Sequence, residues 1–368
     1  MTNLLYITYI DFGQATSGSM VRPQKLYQEF QNIGLKVKLL SGSQNNDCRE
    51  KRKNSIREIE EWLKNNIPDI CYIESPTYPI LLRQDVNLIK KLHRLGVPIG
   101  YFLRDAYYKL GDDYLKKPQG FVRKMKNLYL KSLYIRDEKM LRKYIDLVYF
   151  PTETMASYFP YKNKKALPPA GENKIGQIKL GKTGIYVGGI SKAYGSQILL
   201  EAYEQLNKND YYPLILVCRE TEIDNIAPFY IEQPWLQIEH ASGEELGPLY
   251  AQADFALIPR TDSLYNDLSM SVKLFEYMSY GLPIVSCKSK EMANFIQKYE
   301  MGVVTGFKAE EFAQGIKTLL NDKQSIERYS QNVKQALLCE NLWKHRAVKI
   351  KEELITIKKE KETCSLGI

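Results

Sequence analysis

Lys273 and Glu276 are the pair whose types and spacing could do chemistry together, and they lie in the run SMSVKLFEYMSYGLPIVS at residues 269–286. Val272, Leu274, Phe275, Met278 and Tyr280 recur at helical spacing, which leaves the lysine and the glutamate three apart on the other face of one helix. Ser269 and Ser271 offer N-caps, Gly281 a left-handed stop and Pro283 a block to continuation. The spacing therefore predicts a helix of about ten residues running into a strand at 283–286. A helix N-terminus presents unpaired backbone N–H groups and a partial positive charge, and Lys273 adds a full one, so a diphosphate is the natural ligand. Glu276, one turn further on, is placed to accept hydrogen bonds from a ribose diol. The same residues also suit an amphipathic helix feeding a core strand, with a solvated Lys-Glu pair worth a few tenths of a kcal/mol.

The elements that must position this pair are strands alternating with helices. In the first half, strands are expected at 4–9, 37–40, 70–73, 98–103 and 147–150. Helices are expected at 22–34, 55–65 and 86–96, with another opening at Thr152 or Thr154, where Thr-Glu-Thr is capping chemistry. The second half restarts with strands at 184–187, 214–218, 236–239 and 255–258 and helices at 197–206 and 244–251. This rhythm predicts an α/β protein built on parallel, doubly wound sheets. Between the halves, LPPAG and the polar ENKIGQIKLGK break the periodicity, which places a linker at 166–171. The 368 residues exceed what one hydrophobic core supports, so two domains of roughly 170 residues are expected. Their bounds are 1–168 and 169–345, with a tail at 346–368 able to pack back on the first.

Hydrophobic residues make up 44% and charged residues 26%, an ordinary globular balance. The opening MTNLLYITYIDFGQ lacks a basic leader and runs into Asp11, so it reads as a first strand and not a signal peptide. No apolar run is long enough for a membrane span. The six cysteines are scattered without a CxxC and read as reduced cytosolic thiols, and none of the three histidines has a second ligand nearby. No protein-built metal site and no cofactor are expected. The net charge of +9 is concentrated in one segment. Within residues 116–144, Lys116, Lys117, Arg123, Lys124, Lys126, Lys131, Arg136, Lys139, Arg142 and Lys143 outnumber Asp137 and Glu138, which accounts for eight of the nine charges. Phe121, Leu128, Tyr129, Leu133 and Tyr134 are interleaved among them. Such a surface suits an anionic bilayer, at about 1 kcal/mol per basic residue near it, or is a solvated helix face. No nucleic-acid module accompanies it, so no nucleic-acid partner is expected.

Four further clusters could carry chemistry. GGISKAYG at 188–195 is a glycine-rich loop between a strand and a helix, where Gly188 and Gly189 let backbone approach a phosphate and Lys192 is a nearby cation. A tight turn without a ligand is the other reading. Arg219 and Arg260 each end a strand at the rim where a doubly wound sheet meets its ligand, as donor contacts or as surface residues. Arg104 and Asp105 do the same in the first half, where a carboxylate suits a general base or a helix cap. The small-residue loop at 13–20 precedes Val21, Arg22 and Pro23, which opens a helix with proline in its first turn. Gly18, Ser19 and Arg22 are candidates to line a cleft there, or the loop is flexible and ends in a cap.

The run at 269–286 resembles the donor-binding element of GT-B glycosyltransferases, in particular those related to family 4 and bacterial enzymes that build surface polysaccharides. The resemblance covers nearly the whole chain and is strongest at 184–304. It implies two Rossmann-like doubly wound domains facing a central cleft, with an acceptor-binding N-terminal half and a nucleotide-sugar-binding C-terminal half. In it, Glu276 matches the glutamate that holds the ribose, and the backbone of Ser271, Val272 and Lys273 matches the turn that holds the diphosphate. The earlier family-4 glutamate falls on Leu268, with Asp267 one place out of register. The arginine and lysine that clamp the diphosphate fall on Gly189 and Tyr194, so Lys273 supplies the charge. RDAYY at 104–108 resembles the motif of inverting polysaccharide enzymes and implies Asp105 as the base with Arg104 beside it. SGSMVRP at 17–23 is similar to the first loop of related enzymes. The expected activity is metal-independent hexosyl transfer from a nucleoside diphosphate sugar to a lipid-linked saccharide, in capsule, exopolysaccharide or cell-wall polysaccharide synthesis. The expected place is the cytoplasm, peripheral at the inner face of the plasma membrane. A nucleotide-sugar epimerase and a non-catalytic binding or scaffolding subunit are the rivals.

Overall fold

The first half folds into β1 (Asn3–Ile7), β2 (Lys36–Leu40), β3 (Ile70–Glu74), β4 (Ile99–Phe102), β5 (Leu147–Phe150) and β6 (Lys164–Ala166) in a computed structural model that describes residues 1–12, 18–105, 107–109, 120–177 and 180–365. They pair in parallel in the order β2-β1-β3-β4-β5-β6. Every residue of β3, β4 and β5 is buried, as expected of parallel strands covered on both faces. The covering helices include Gly18–Asn32, Arg49–Trp62, Arg83–Arg94 and Phe121–Tyr144. Three of these begin earlier than the sequence suggests, the third at Arg83 in place of 86. The first opens at Gly18, so Pro23 sits inside the helix and not in its first turn, with its carbonyl accepting from Tyr6 Oη at 3.1 Å. The second opens at Arg49 because Arg52 is drawn inward, where it donates to the Thr8 and Gly42 carbonyls and pairs with Asp85 at 2.7 Å.

The last helix, Trp343–Ser365, also belongs to this half, so residues 343–345 leave the second domain to which the sequence assigns them. Ala347, Ile350 and Leu354 form its buried stripe, Tyr149 Oη donates to Glu353 at 2.7 Å, and Leu354 lies over Gly100 of β4. One compact unit thus comprises Met1–Pro168 with Trp343–Ile368, and the other Pro169–Leu342.

The second unit holds β7 (Gly184–Val187), β8 (Leu214–Val217), β9 (Leu236–Glu239), β10 (Phe255–Ile258), β11 (Ile284–Cys287) and β12 (Gly302–Thr305). Its strands are parallel in the order β12-β11-β10-β7-β8-β9. Alternate strand residues serve opposite layers: Ile185, Ala256 and Ile258 pack with Leu274, Phe275 and Met278, while Tyr186, Phe255 and Leu257 pack with Leu199, Tyr203 and Phe312. Strand order reverses between β7 and β10, and the crevice outside the carboxyl ends of those two strands is where such sheets take ligands. Among the described residues, no helix is long and apolar enough to cross a membrane.

Candidate functional site

β7 and β10 deliver Gly188 and Arg260 to that crevice, and the helix Val272–Ser279 fastens between them. Leu274, Phe275 and Met278 bury one face of this eight-residue helix. Tyr277 pins it to both strands, because Val187 N donates to its hydroxyl at 3.0 Å and the hydroxyl donates to the Leu257 carbonyl at 3.3 Å. The sequence marks Tyr277 only as one more aromatic. Ser271 takes the N-cap conformation, but neither its side chain nor that of Ser269 caps the helix among the described residues. Leu274 N donates back to the Ser271 carbonyl at 3.3 Å, and the N–H groups of 271–273 are left for another acceptor. Gly281 ends the helix with φ 74°.

Lys273, in the first turn, reaches the end of β7 at Gly188. Its ammonium donates to Tyr186 Oη at 3.2 Å and lies 4.5 Å from the Tyr186 ring centroid and 5.0 Å from that of Tyr194. Only glycine fits beneath it, since a Cβ on Gly188 would stand 1.8 Å from Nζ and the backbone there has φ 150°. Burial pulls the Lys273 pKa down to about 7, the Arg260 guanidinium adds to the fall, and Glu276 and Glu222 oppose it. Glu276, half-buried one turn on, is raised by burial against the lowering effect of Tyr250, Lys273 and Lys174. The buried Tyr250 hydroxyl stands beside this carboxylate outside full hydrogen-bond geometry, and its ring stacks on Tyr280 at 4.3 Å.

The glycine loop folds over the end of β10. Gly195 has φ 72°, and a Cβ there would meet Pro259 C and Arg260 N at 2.8 Å, so the two backbones touch. Arg260 is buried, donates to Asn266 Oδ1 at 3.1 Å, and has its guanidinium 5.7 Å from the Tyr194 centroid. Glu222 steadies the loop by accepting from Ile190 N at 3.2 Å.

Gly188, Lys273 and the 271–273 backbone therefore meet at the crevice, with Glu276 close enough to act on the lysine's charge. Gly189 contributes its carbonyl to Tyr186 Oη at 2.7 Å. Other expectations change. The Arg219 side chain is 75% exposed and paired with Glu222 at 3.2 Å, bracing the loop's acid and not the crevice. Lys192 is exposed beside a cavity of about 300 Å³ bounded by Gly195, Thr261 and Lys308. Leu268 is buried, and Asp267 accepts from Lys290 N at 2.8 Å, committed to the start of the helix Lys290–Lys298.

In the first unit, Arg22 does not line an open cleft. It is buried, with Nε donating to Glu74 at 2.9 Å, Nη1 to the Leu167 and Pro168 carbonyls, Nη2 to Tyr72 Oη, and the guanidinium 3.7 Å from the Phe102 centroid. Every nitrogen is taken, so its role there is structural. Gly18 and Ser19 open the helix, while 13–17 lie outside the described residues. Arg104 and Asp105 follow β4, with Arg104 N donating to Ser75 Oγ at 3.1 Å. Asp105 is half-buried and lines a cavity of about 30 Å³ with Ser75, Tyr78, Tyr101, Tyr108 and Tyr134. Lys116 and Lys117 lie outside the described residues.

The helix Phe121–Tyr144 divides by face. Leu133, Asp137, Met140 and Leu141 bury its C-terminal half. Phe121, Val122, Met125, Leu128 and Tyr129 form a second stripe that is exposed, with Phe121 at 78% and Val122 at 82%, flanked by exposed Lys124, Lys126 and Lys131.

Residues 181–322 match the family described as Glycosyl transferases group 1. No curated protein matches the chain in sequence. Among solved structures, Anabaena Alr3699/HepE in complex with UDP aligns at TM-score 0.67 and 13% identity over 96% of this chain and 100% of that one. WaaG, a glycosyltransferase involved in lipopolysaccharide biosynthesis, aligns at 0.60 and 16% over 97% and 99%. A glycosyltransferase from Rickettsia africae ESF-5 aligns at 0.66 and 11% over 97% and 98%. The architecture is GT-B. The two sheets are its two Rossmann-like halves, and the group 1 match lies wholly in the second, around the crevice that holds Gly188, Lys273 and Glu276.

Proposed function

We propose that this GT-B protein is a glycosyltransferase that moves a sugar from a nucleoside diphosphate to a lipid-linked saccharide in the assembly of a bacterial surface polysaccharide. The observation that carries the reading is the Lys273 ammonium set against Gly188 at the end of β7, on the first turn of a helix that no side chain caps, at the point where strand order reverses. The donor diphosphate rests on the N–H groups of 271–273, and Glu276 accepts from the ribose hydroxyls. As the bond between the sugar's anomeric carbon and the β-phosphate oxygen breaks, its electron pair goes to that oxygen. Lys273 and the helix terminus stabilise the charge, which supports transfer without a metal. Asp105 takes the proton of the acceptor hydroxyl as its oxygen bonds to the anomeric carbon. The group 1 match supports the donor half of this reading.

The exposed apolar stripe of Phe121–Tyr144 between lysines supports peripheral binding to an anionic bilayer, on the cytoplasmic side where activated sugars are made. Thermal stabilisation by a panel of UDP-, GDP- and dTDP-sugars tests the donor assignment. One nucleotide should raise the melting temperature and lose that effect in Glu276→Ala, while no shift with any would sink the assignment. The UDP-bound relative puts UDP-sugars first in the panel. Slow hydrolysis of that donor without an acceptor would separate an enzyme from a scaffold.

A further inference from the structure

We infer that Arg260 is a second phosphate-binding residue of this site, gripping the donor diphosphate together with Lys273 beside the Tyr194 ring. This rests on the donor reading above. The two cations reach the crevice from different elements, Arg260 from the end of β10 and Lys273 from the helix Val272–Ser279, and both lie near the Tyr194 ring, at 5.7 and 5.0 Å from its centroid. Among the described residues neither makes a salt bridge, although Arg260 is only 9% exposed. Two neighbouring, poorly hydrated cations with no carboxylate in direct contact repel each other, a repulsion that Glu276 and Glu222 only partly offset at Lys273, and this is the condition an arriving anion relieves.

The arginine is aimed. Asn266 accepts from Nη1, and Asn266 is itself fixed by its Nδ2 donating to the Thr261 carbonyl at 2.7 Å and its N–H donating to Ser263 Oγ at 3.2 Å. Gly195 clamps the backbone of Arg260 from the other side. Arg219, the other strand-end arginine, is spent on Glu222 in solvent.

The test is titration of inorganic pyrophosphate and of the UDP-, GDP- and dTDP-sugars into the full chain, as wild type, Arg260→Ala, Arg260→Lys and Arg219→Ala. Pyrophosphate needs no base or sugar contact, so it reads the cation pair alone. Arg260→Ala should weaken pyrophosphate and the bound nucleotide sugar by about 10- to 100-fold, the scale of a lost charge-assisted hydrogen bond, and Arg260→Lys should recover part of it. Arg219→Ala should stay within about twofold. Melting curves without ligand, together with retained binding of the free nucleoside, show that the variants are folded.

A nucleotide sugar that binds equally well to wild type and Arg260→Ala overturns the inference and leaves the donor reading standing. The same holds if the loss follows Arg219 instead. Pyrophosphate binding that depends on Arg260, with no nucleotide sugar bound, keeps the anion site and removes the donor reading.

Discussion

Lys273→Met should turn a pH-dependent donor affinity into a weak, pH-independent one. In the free protein the lysine titrates at about 7, held down first by burial and then by Arg260. A donor diphosphate laid against it favours the ammonium, so binding takes up a proton and must weaken as pH rises through the free-state value. With the free group at about 7 and the bound group held charged across this range, the dissociation constant for a nucleotide sugar rises about tenfold between pH 6 and 8, about 1.4 kcal/mol. Below pH 6 the lysine is charged in both states and the curve flattens. Calorimetric titration at pH 7 in buffers of different ionisation enthalpy should read an uptake of about half a proton per complex, because the free lysine is half-charged there. Methionine keeps the length of the stem without the charge. The variant should bind about 10- to 100-fold more weakly at pH 6 and show neither slope nor proton uptake. Equal wild-type affinity at pH 6 and 8, or a slope that survives in Lys273→Met, would refute the reasoning.

Gly188→Ala places a Cβ 1.8 Å from Nζ of Lys273 at φ 150°; strain of about 1–3 kcal/mol and displacement of the lysine should lower donor affinity at least tenfold in the same titration. Asp105→Asn should cut transfer by about 10²- to 10⁴-fold while donor affinity stays within about twofold, and a fully active variant would remove Asp105 from the chemistry. Phe121→Asp with Leu128→Asp should reduce cosedimentation with phosphatidylglycerol vesicles by more than about tenfold, given roughly 1.5–3 kcal/mol for each buried apolar side chain; unchanged sedimentation argues against the bilayer. Arg22→Met leaves Glu74 buried and unpaired, which should cost about 3–5 kcal/mol and show as a melting temperature lower by about 6–20 °C in scanning calorimetry.

The alternation of strands and helices is legible because strands covered on both faces are unbroken apolar runs, as in ICYIE of β3, LVYF of β5 and LILV of β8. The two strands that escaped notice are sheet edges. β6 is Lys164, Lys165 and Ala166, with no apolar run to detect, and β12 is a four-residue Gly-Val-Val-Thr. Lys273 and Glu276 stand out because helical periodicity alone sets them on one face. Arg22 misleads because nothing near it in sequence announces Glu74, its partner 52 residues away. Arg52 is hidden for a related reason, being one cation among several in REKRK, where only the fold selects which is drawn inward. Arg219 and Arg260 look alike at the ends of their strands. What separates them is an acid three residues on in one case and Asn266 in the other, a difference that matters only once the loop has folded.

The return of Trp343–Ser365 to the first unit bears on the order of synthesis. The second unit is one continuous stretch, Pro169–Leu342, and has all its strands once that stretch has left the ribosome. The first emerges before it but must wait until Trp343–Ser365 has followed the whole second unit to receive the helix that covers β4 with Leu354. Until then its sheet carries an uncovered apolar face, the kind of surface that recruits chaperones or aggregates. A clone stopped at Pro168 would share that defect permanently, whereas one spanning Pro169–Leu342 would lack none of its own core.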